Sequence, residues 1–337
     1  MADFRWDPVN GQWVIIAENR AGRPNDFEQA DTYADIVKSK RVDCPFCYGN
    51  EAKTPKEIAA YQACEKDGRW LTRVFSNKYP AVHENGGVNH QTNVGPYRKG
   101  DFLGHHEIIV ESPEHKTSFS QLSDEEIDAA FKAYRDRIAL FANDSKLSHA
   151  MLFKNCRPDA GASIEHLHSQ ILCTSITTEK VLRRVDRAKQ YFEANQVDVI
   201  SAIADFEVSD GSRVIEQTDN FIAFCPYASR FGYLTTVTQK SGGNDFFRLT
   251  DDEVSELGKF IRKLVIKLEN RLPNAAYNML LHIAPFDISA DEYYQWHVEI
   301  FPRLANPAGY EWGTGCWINP VAPEHAADSL RNSPDVI

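Results

Sequence analysis

The chain has 337 residues, 42% of them apolar and 25% charged, a globular composition for about two domains that excludes disordered, collagen-like and coiled-coil classes. Thirty-seven Lys and Arg against 48 Asp and Glu leave a net charge of −11 with no segregated basic stripe, so no nucleic acid is expected as a partner, while a small phosphorylated ligand is allowed. No apolar run is long enough for a bilayer, and Met1–Asp7 lacks a basic-then-apolar leader, which predicts a cytoplasmic protein with no membrane partner.

In chain order, Trp13–Ala17 reads as a strand and Arg20–Pro24 as a loop rich in guanidinium groups, followed by a polar, irregular connection over 25–40. Leu71–Asn77 and Glu107–Ser112 alternate as strands, with a mobile loop expected between them at 83–101. Ser123 and Glu126 form a capping box, and the helix they open carries Ile127, Phe131, Tyr134, Ile138 and Phe141 at helical spacing. A strand at Ala150–Asn155, a loop at Pro158–Ser163 and the segment His166–Leu172 follow, and helical spacing resumes over 179–194.

The order then repeats. Strands at Phe221–Phe224 and Gly232–Thr238 precede a capped helix from Thr250, a strand at Tyr277–Ile283 and the segment Trp296–Pro302. The capping boxes at Ser123 and Thr250 lie 127 residues apart, and His166-x-His168 lies 131 before His297-x-Glu299. The repetition predicts an internal duplication of α+β class: two halves, 1–178 and 179–337, each a mainly antiparallel sheet with packed helices.

The seven cysteines are an odd number without a leader, which is not a disulfide framework. Cys44-Pro45-Phe46-Cys47 has the spacing of a zinc half-site; a redox pair is the rival, but its flanks are loop-like rather than strand and helix. His115 and His166 are the candidate further ligands. In His166-Leu167-His168-Ser169-Gln170, strand alternation puts His166, His168 and Gln170 on one face. An imidazole there can attack phosphorus while the amide donates to a nonbridging oxygen; two core histidines or a metal pair are the competing readings.

These residues, with Ser112-Pro113-Glu114-His115, Gly161-Ala162-Ser163 and Gly309-Tyr310-Glu311 in the same order, resemble galactose-1-phosphate uridylyltransferase and its histidine-triad-related nucleotidyltransferase relatives. The resemblance runs from about Asp7 to Glu324 and implies two histidine-triad-like halves, the first catalytic. It implies that His168 attacks the α-phosphorus of a nucleotide sugar, expels a hexose 1-phosphate and passes the nucleotide to a second acceptor. It places Arg20 and Arg23 near the nucleotide phosphates, Asn77 near the nucleotide, Asn155, Ser163 and Gln170 in the phosphate pocket, and Tyr310 and Glu311 at the sugar. It implies a structural zinc held by Cys44, Cys47, His115 and His166, and a homodimer whose sites share residues.

The family's second metal site transfers only in part: His282 and His297 match, but Glu299 stands at a histidine position and Arg184 near a glutamate position. The expected substrates are a UDP-hexose and a hexose 1-phosphate. Trp317 near a sugar-binding glutamine's place, Leu167 between the histidines and the Gly313-Thr314-Gly315…Ile318-Asn319-Pro320 run also resemble the ADP-glucose phosphorylase branch, in which phosphate is the acceptor. A zinc-stabilised nucleotide-binding module without turnover is the reading from another class.

Overall fold

The computed structural model describes residues 3–20, 43–62, 68–87, 90–240 and 245–336; Arg23 and the connection read at 25–40 lie outside them. The first half comprises β1 (Asp3–Asp7), β2 (Gln12–Ile16), β3 (Glu57–Gln62), β4 (Trp70–Ser76), β5 (His90–Val94), β6 (Tyr97–Asp101), β7 (Gly104–Val110), α1 (Asp124–Ala142), β8 (His149–Cys156) and β9 (His168–Thr174). Helices α2 (Glu179–Asn195) and α3 (Val199–Asp210) lead to β10 (Val214–Gln217), β11 (Phe221–Phe224), β12 (Thr235–Gln239), α4 (Asp251–Arg271), β13 (Tyr277–His282) and β14 (His297–Pro302). The chain ends with α5 (Gly309–Thr314), β15 (Trp317–Asn319) and α6 (Pro323–Arg331).

Ten strands form one antiparallel sheet in the order β10-β11-β12-β14-β13-β8-β9-β7-β4-β3. Outward from the β13/β8 junction the two halves lie in the same order, β8-β9-β7-β4-β3 and β13-β14-β12-β11-β10, and in chain order each inserts its long capped helix between the third and fourth of these five strands. The duplication expected from the sequence is therefore visible as a pseudo-twofold through that junction. Helices α1 and α4 pack together on one face: Ser255 Oγ donates to Asp128 Oδ1 at 2.7 Å, and Ile127 and Phe131 occupy the space a Cβ on Gly258 would need. Both capping boxes form as predicted, with Ser123 and Thr250 accepting from the backbone of Glu126 and Glu253.

The helix-facing side of the sheet is buried and largely apolar, with Ile109, Leu152, Ile171, Val237, Leu281 and Val298 against Phe131, Leu257 and Ile261. The opposite side carries the alternate residues, among them Phe153, Gln170 and Leu280. A separate three-stranded sheet, β1-β2-β15, joins the chain's ends, with Trp317, Ile318 and Asn319 parallel to Val14, Ile15 and Ile16.

Two expectations change. The segment 83–101 is not a loop throughout: β5 and β6 pair in register from His90↔Asp101 to Val94↔Tyr97. Their side chains are too polar to show alternation; the readable signal is Gly95-Pro96 at the turn, with Gly95 at φ +60° where a side chain is disfavoured. His166 does not share a strand with His168, because β9 begins at His168.

Candidate active site

Cys44 and Cys47 sit in a turn fixed to the end of β7. Tyr48 N donates to Pro113 O at 2.9 Å and Asn50 Nδ2 to Cys44 O at 2.8 Å. Opposite them, the Ser112–Lys116 loop brings His115, and the residue pair before β9 brings His166. His166 Nδ1 lies 3.5 Å from both Cys44 Sγ and Cys47 Sγ, and His115 Nδ1 lies 3.5 Å from Cys47 Sγ. All four donor atoms are within 4.8 Å of one another.

This set fits zinc. Zinc–sulfur bonds of about 2.3 Å and zinc–nitrogen bonds of about 2.05 Å at a tetrahedral angle put sulfur and nitrogen about 3.5 Å apart. The second ring nitrogens are placed as ligand histidines require: His166 Nε2 donates to Ser112 O at 2.9 Å, and the Glu165 carboxylate is 3.5 Å from His115 Nε2. Burial pushes His166 down to about 4, with His115 and His168 adding to the effect against the Ser112 hydrogen bond, so its imidazole is neutral and ready to ligate.

His168 follows directly. Its Nδ1 donates to the His166 carbonyl at 2.8 Å, which fixes the tautomer and leaves Nε2 unprotonated, with no hydrogen bond among the described residues. Burial lowers its pKa; the His166 carbonyl opposes this, Lys154 lowers it further and Glu111 counters. Phe46, between the two thiols, packs edge-on to the His168 ring at 5.2 Å. The Cys-x-x-Cys turn thus holds both histidines, one by its sulfurs and one by its aromatic ring.

Gln170 is on the same face as His168, and its Oε1 accepts from His106 Nε2 at 2.8 Å. His106 Nδ1 accepts from Ala81 N at 3.2 Å, so the ring proton is on Nε2 and the Gln170 amide N–H groups are released. Asn77, at the end of β4, has its Nδ2 3.2 Å from the same His106 nitrogen. Asn155 Oδ1 accepts from Asn278 Nδ2 at 2.8 Å, which leaves its own Nδ2 as a donor beside the Gly161 turn. That turn is tightly wound, with Arg157 at φ +74° and Gly161 at φ +92°, and Ser163 is exposed just beyond it.

The structure thus gathers His168, Gln170, Asn77 and Asn155 around one surface. Arg20, Tyr310 and Glu311 are elsewhere: Arg20 follows β2, and the other two are on α5 beside β15. No hydrogen bond or ion pair among the described residues ties them to the His168 cluster. His106 was absent from the sequence reading: it stands beside His105 on β7, and two adjacent histidines point to opposite faces of a strand, so the pair offers no spacing signal for a shared site. A buried group behind β9 was also missed. Lys154 forms an ion pair with Glu111, which also accepts from Tyr134 and, at 2.5 Å, from Ser169 Oγ. Lys154 and Glu111 side chains are both fully buried.

The second half's cluster is closed by arginines. Arg184 NH1 donates to His282 Nδ1 at 2.7 Å, His282 Nε2 donates to Glu299 Oε2 at 2.9 Å, and Arg230 NH2 donates to the same oxygen at 2.6 Å. Glu299 is held well below the usual carboxylate range by Arg230 and His282, which overcome its burial. Arg184 and Arg230 take up His282 Nδ1 and Glu299 Oε2, so these two side chains form an ion-paired network, while the buried His297 beside them keeps an Nδ1 with no hydrogen-bond partner.

Comparison with known proteins gives two family matches: "Galactose-1-phosphate uridyl transferase, N-terminal domain" over residues 1–178, and a domain of unknown function, DUF4921, over 102–333. ADP-glucose phosphorylase of Arabidopsis thaliana is 30% identical over 98% of this chain and 92% of that protein. Its crystal structure with bound ADP-glucose superposes with a TM-score of 0.83, covering 99% of both chains at 29% identity. Galactose-1-phosphate uridylyltransferase of Thermotoga maritima is 24% identical over 99% of both chains.

Proposed function

Since this chain belongs to the galactose-1-phosphate uridylyltransferase family, we propose that it transfers a nucleoside monophosphate from a nucleotide sugar to a phosphate-bearing acceptor through a covalent nucleotidyl-His168. The observation that carries this is the Nδ1 hydrogen bond to the His166 carbonyl, which presents an unprotonated Nε2. In the first step a bond forms between Nε2 and the α-phosphorus, and the bond from that phosphorus to the bridging oxygen breaks. Hexose 1-phosphate leaves with the electron pair. In the second step an acceptor oxygen attacks the α-phosphorus and Nε2 leaves. The His166 carbonyl accepts from the Nδ1–H throughout and stabilises the positive charge of the phosphorylated ring.

The Gln170 and Asn155 amides and the Ser163 hydroxyl are neutral donors for the nonbridging oxygens, where charge builds in the transition state. A zinc ion held by Cys44, Cys47, His115 and His166 supplies a structural tie that fixes the position of the His166 carbonyl.

The sequence placed a UDP-hexose and hexose 1-phosphate first. Two findings favour ADP-glucose as donor and phosphate as acceptor. The Arabidopsis phosphorylase is more similar than the Thermotoga uridylyltransferase, and Trp317 is committed to the small sheet, its indole N–H donating to Gln12 Oε1 at 3.0 Å and its ring edge-on to Phe231 at 5.2 Å. Incubation with ADP-glucose or UDP-glucose labelled at the α-phosphorus tests the reading. An acid-labile, base-stable protein label is expected, faster from ADP-glucose and released as ADP by phosphate. No label from either donor would leave the non-catalytic nucleotide-binding reading standing.

The separation of Arg20, Tyr310 and Glu311 from His168 supports a homodimer in which these residues serve the other copy. Mixing His168→Asn with Glu311→Gln chains should then restore activity that neither has alone; no restoration would reject the shared site.

A further inference from the structure

A cavity of ≈ 580 Å3 opens between the β1–β2 hairpin, the first turns of α2 and residues 314–316. None of its wall comes from β7, β8 or β9. Four cations, Lys180, Arg183, Arg184 and Arg187, line it together with Trp6 and Trp13. In a chain of net charge −11 this is a local reversal of sign.

The cations outnumber the carboxylates: among the described residues Glu179 is the one acidic side chain that lines the cavity with them. Among the described residues Arg183 alone of the four has an ion pair, with Glu179 one turn earlier at 2.9 Å on the exposed surface. Arg184 is buried, gives NH1 and NH2 to the neutral acceptors of His282 and Asn10, and its Nε has no hydrogen-bond partner. Lys180 and Arg187 make no hydrogen bond or ion pair among the described residues. Burial holds the Lys180 ammonium below its ordinary pKa, and Arg230 and Arg184 add to that against the weaker pull of Glu299 and Asp7. Arg184 reaches Glu299 only through the His282 ring, and a buried guanidinium with no anion in direct contact is a costly group unless something supplies one.

The wall is also shaped for a ligand. Gly11 has φ +63°, and a Cβ there would fall 1.9 Å from Arg187 Nε, so the glycine lets that guanidinium lie across the hairpin turn. The N-cap of α2, Thr178, makes no side-chain cap hydrogen bond, which leaves first-turn N–H groups for an anion. Trp6 and Trp13 meet edge-on at 5.3 Å yet remain 45% and 50% exposed, an aromatic surface beside the cations.

We propose that this cavity is a second binding site, for a nucleoside phosphate whose phosphates lie among Lys180, Arg183, Arg184 and Arg187 and whose base packs on Trp6 and Trp13. Cations recognise the phosphates, and exposed indoles take a planar base through stacking. The inference does not depend on the His168 chemistry.

Equilibrium dialysis with labelled ADP tests it on the full chain. The wild type should bind one more ADP per chain than Arg187→Glu, while Arg187→Glu keeps its zinc, its melting temperature and its nucleotidyl-His168 label. Trp13→Ala should weaken ADP at this site at least tenfold and leave inorganic pyrophosphate unchanged. If Arg187→Glu misfolds, the exposed Arg183→Ala should give at least a fivefold loss in the same assay. Equal ADP stoichiometry in wild type and variants would overturn the proposal. So would loss of the His168 label together with the ADP, since the cavity would then belong to the transfer site. Equal affinity for pyrophosphate and ADP, indifferent to Trp13, would overturn the nucleoside part.

Discussion

The two halves of the sheet offer the same positions and fill them with opposite chemistry. If β13 keeps the helices' offset of 127 from β8, Leu280 answers to Phe153, and the register then sets Glu299 opposite Leu280 as Gln170 is opposite Phe153. His297, the first residue of β14, thus stands where His168 stands as the first residue of β9. This differs from the pairing of His166 with His297 that motif order alone gave. In the first half the open face is neutral: an imidazole, amides and a metal-type cluster, with the charged pair Lys154–Glu111 behind the strand. In the second half the charges are on the open face, where Glu299 is bound by Arg230 and His282. One carboxylate in the amide's place takes up Arg230 directly and Arg184 by way of His282, and what is a nucleophile's pocket in the first half is an ionic network in the second.

The sharpest way to break this comparison is to remove each histidine in turn. His168→Asn should abolish the acid-labile label, since no other group described here presents a free imidazole nitrogen beside amide donors. His297→Asn should keep it. Loss of label in both would mean that the halves share one reaction.

Metal removal separates the halves next. Cys44→Ser or a strong chelator should lower bound zinc from about one per chain to near none, lower the melting temperature and slow labelling, because the His166 carbonyl and Phe46 would both lose their anchor. Elemental analysis and thermal unfolding read this. Unchanged metal content in Cys44→Ser would remove the assignment.

Much of this contrast was legible in the sequence, for physical reasons. Capping boxes and apolar spacing are local, so the starts of α1 and α4 could be placed to within a residue and the duplication inferred from them. The zinc half-site was also readable, since two thiols three positions apart are a rare pattern with few other uses, while His115 and His166 were only candidates until the family resemblance joined them to it. The ionic groups were not. Lys154, Glu111, Tyr134 and Ser169 come from four elements and meet only after the sheet forms. Arg184 and Arg230 look like surface residues until the fold brings them to His282 and Glu299. Polar β5 and β6 lack the apolar alternation on which such reading depends, and α5 is six residues with none buried.

The buried pairs give a test of where charge is tolerated. Glu111→Gln leaves the Lys154 ammonium without its anion behind β9 and should cost about 3–5 kcal/mol of stability in urea unfolding. Labelling should fall too, since the amide keeps one acceptor oxygen where Lys154, Tyr134 and Ser169 shared two, and the rearranged bonds bear on Ser169 between His168 and Gln170. Glu299→Gln strands Arg230 in the same way and should also destabilise, but with labelling intact in the folded fraction. Equal loss of labelling in both variants would erase the functional difference between the halves.

Acid should find the junction between the halves. His149 on β8 is pushed down to about 4 by burial and then by Arg184, and His282 on β13 is pushed to about 4 by burial and Arg184 against the pull of Glu299. An unfolded histidine titrates near about 6.5, so the unfolded chain takes up each proton first. The stability these two neutral rings contribute is complete above about pH 6.5 and declines as pH falls toward 4, by about 1.4 kcal/mol per pH unit for each ring. Urea midpoints between pH 7 and 4.5 should therefore fall, and His149→Gln should flatten the slope by one proton's worth. Arg184 acts on both rings, so Arg184→Gln should raise both pKa values and shift the decline to lower stability loss at every pH in that window. A slope unchanged by either substitution would show that the arginine does not act on the two rings as the geometry implies.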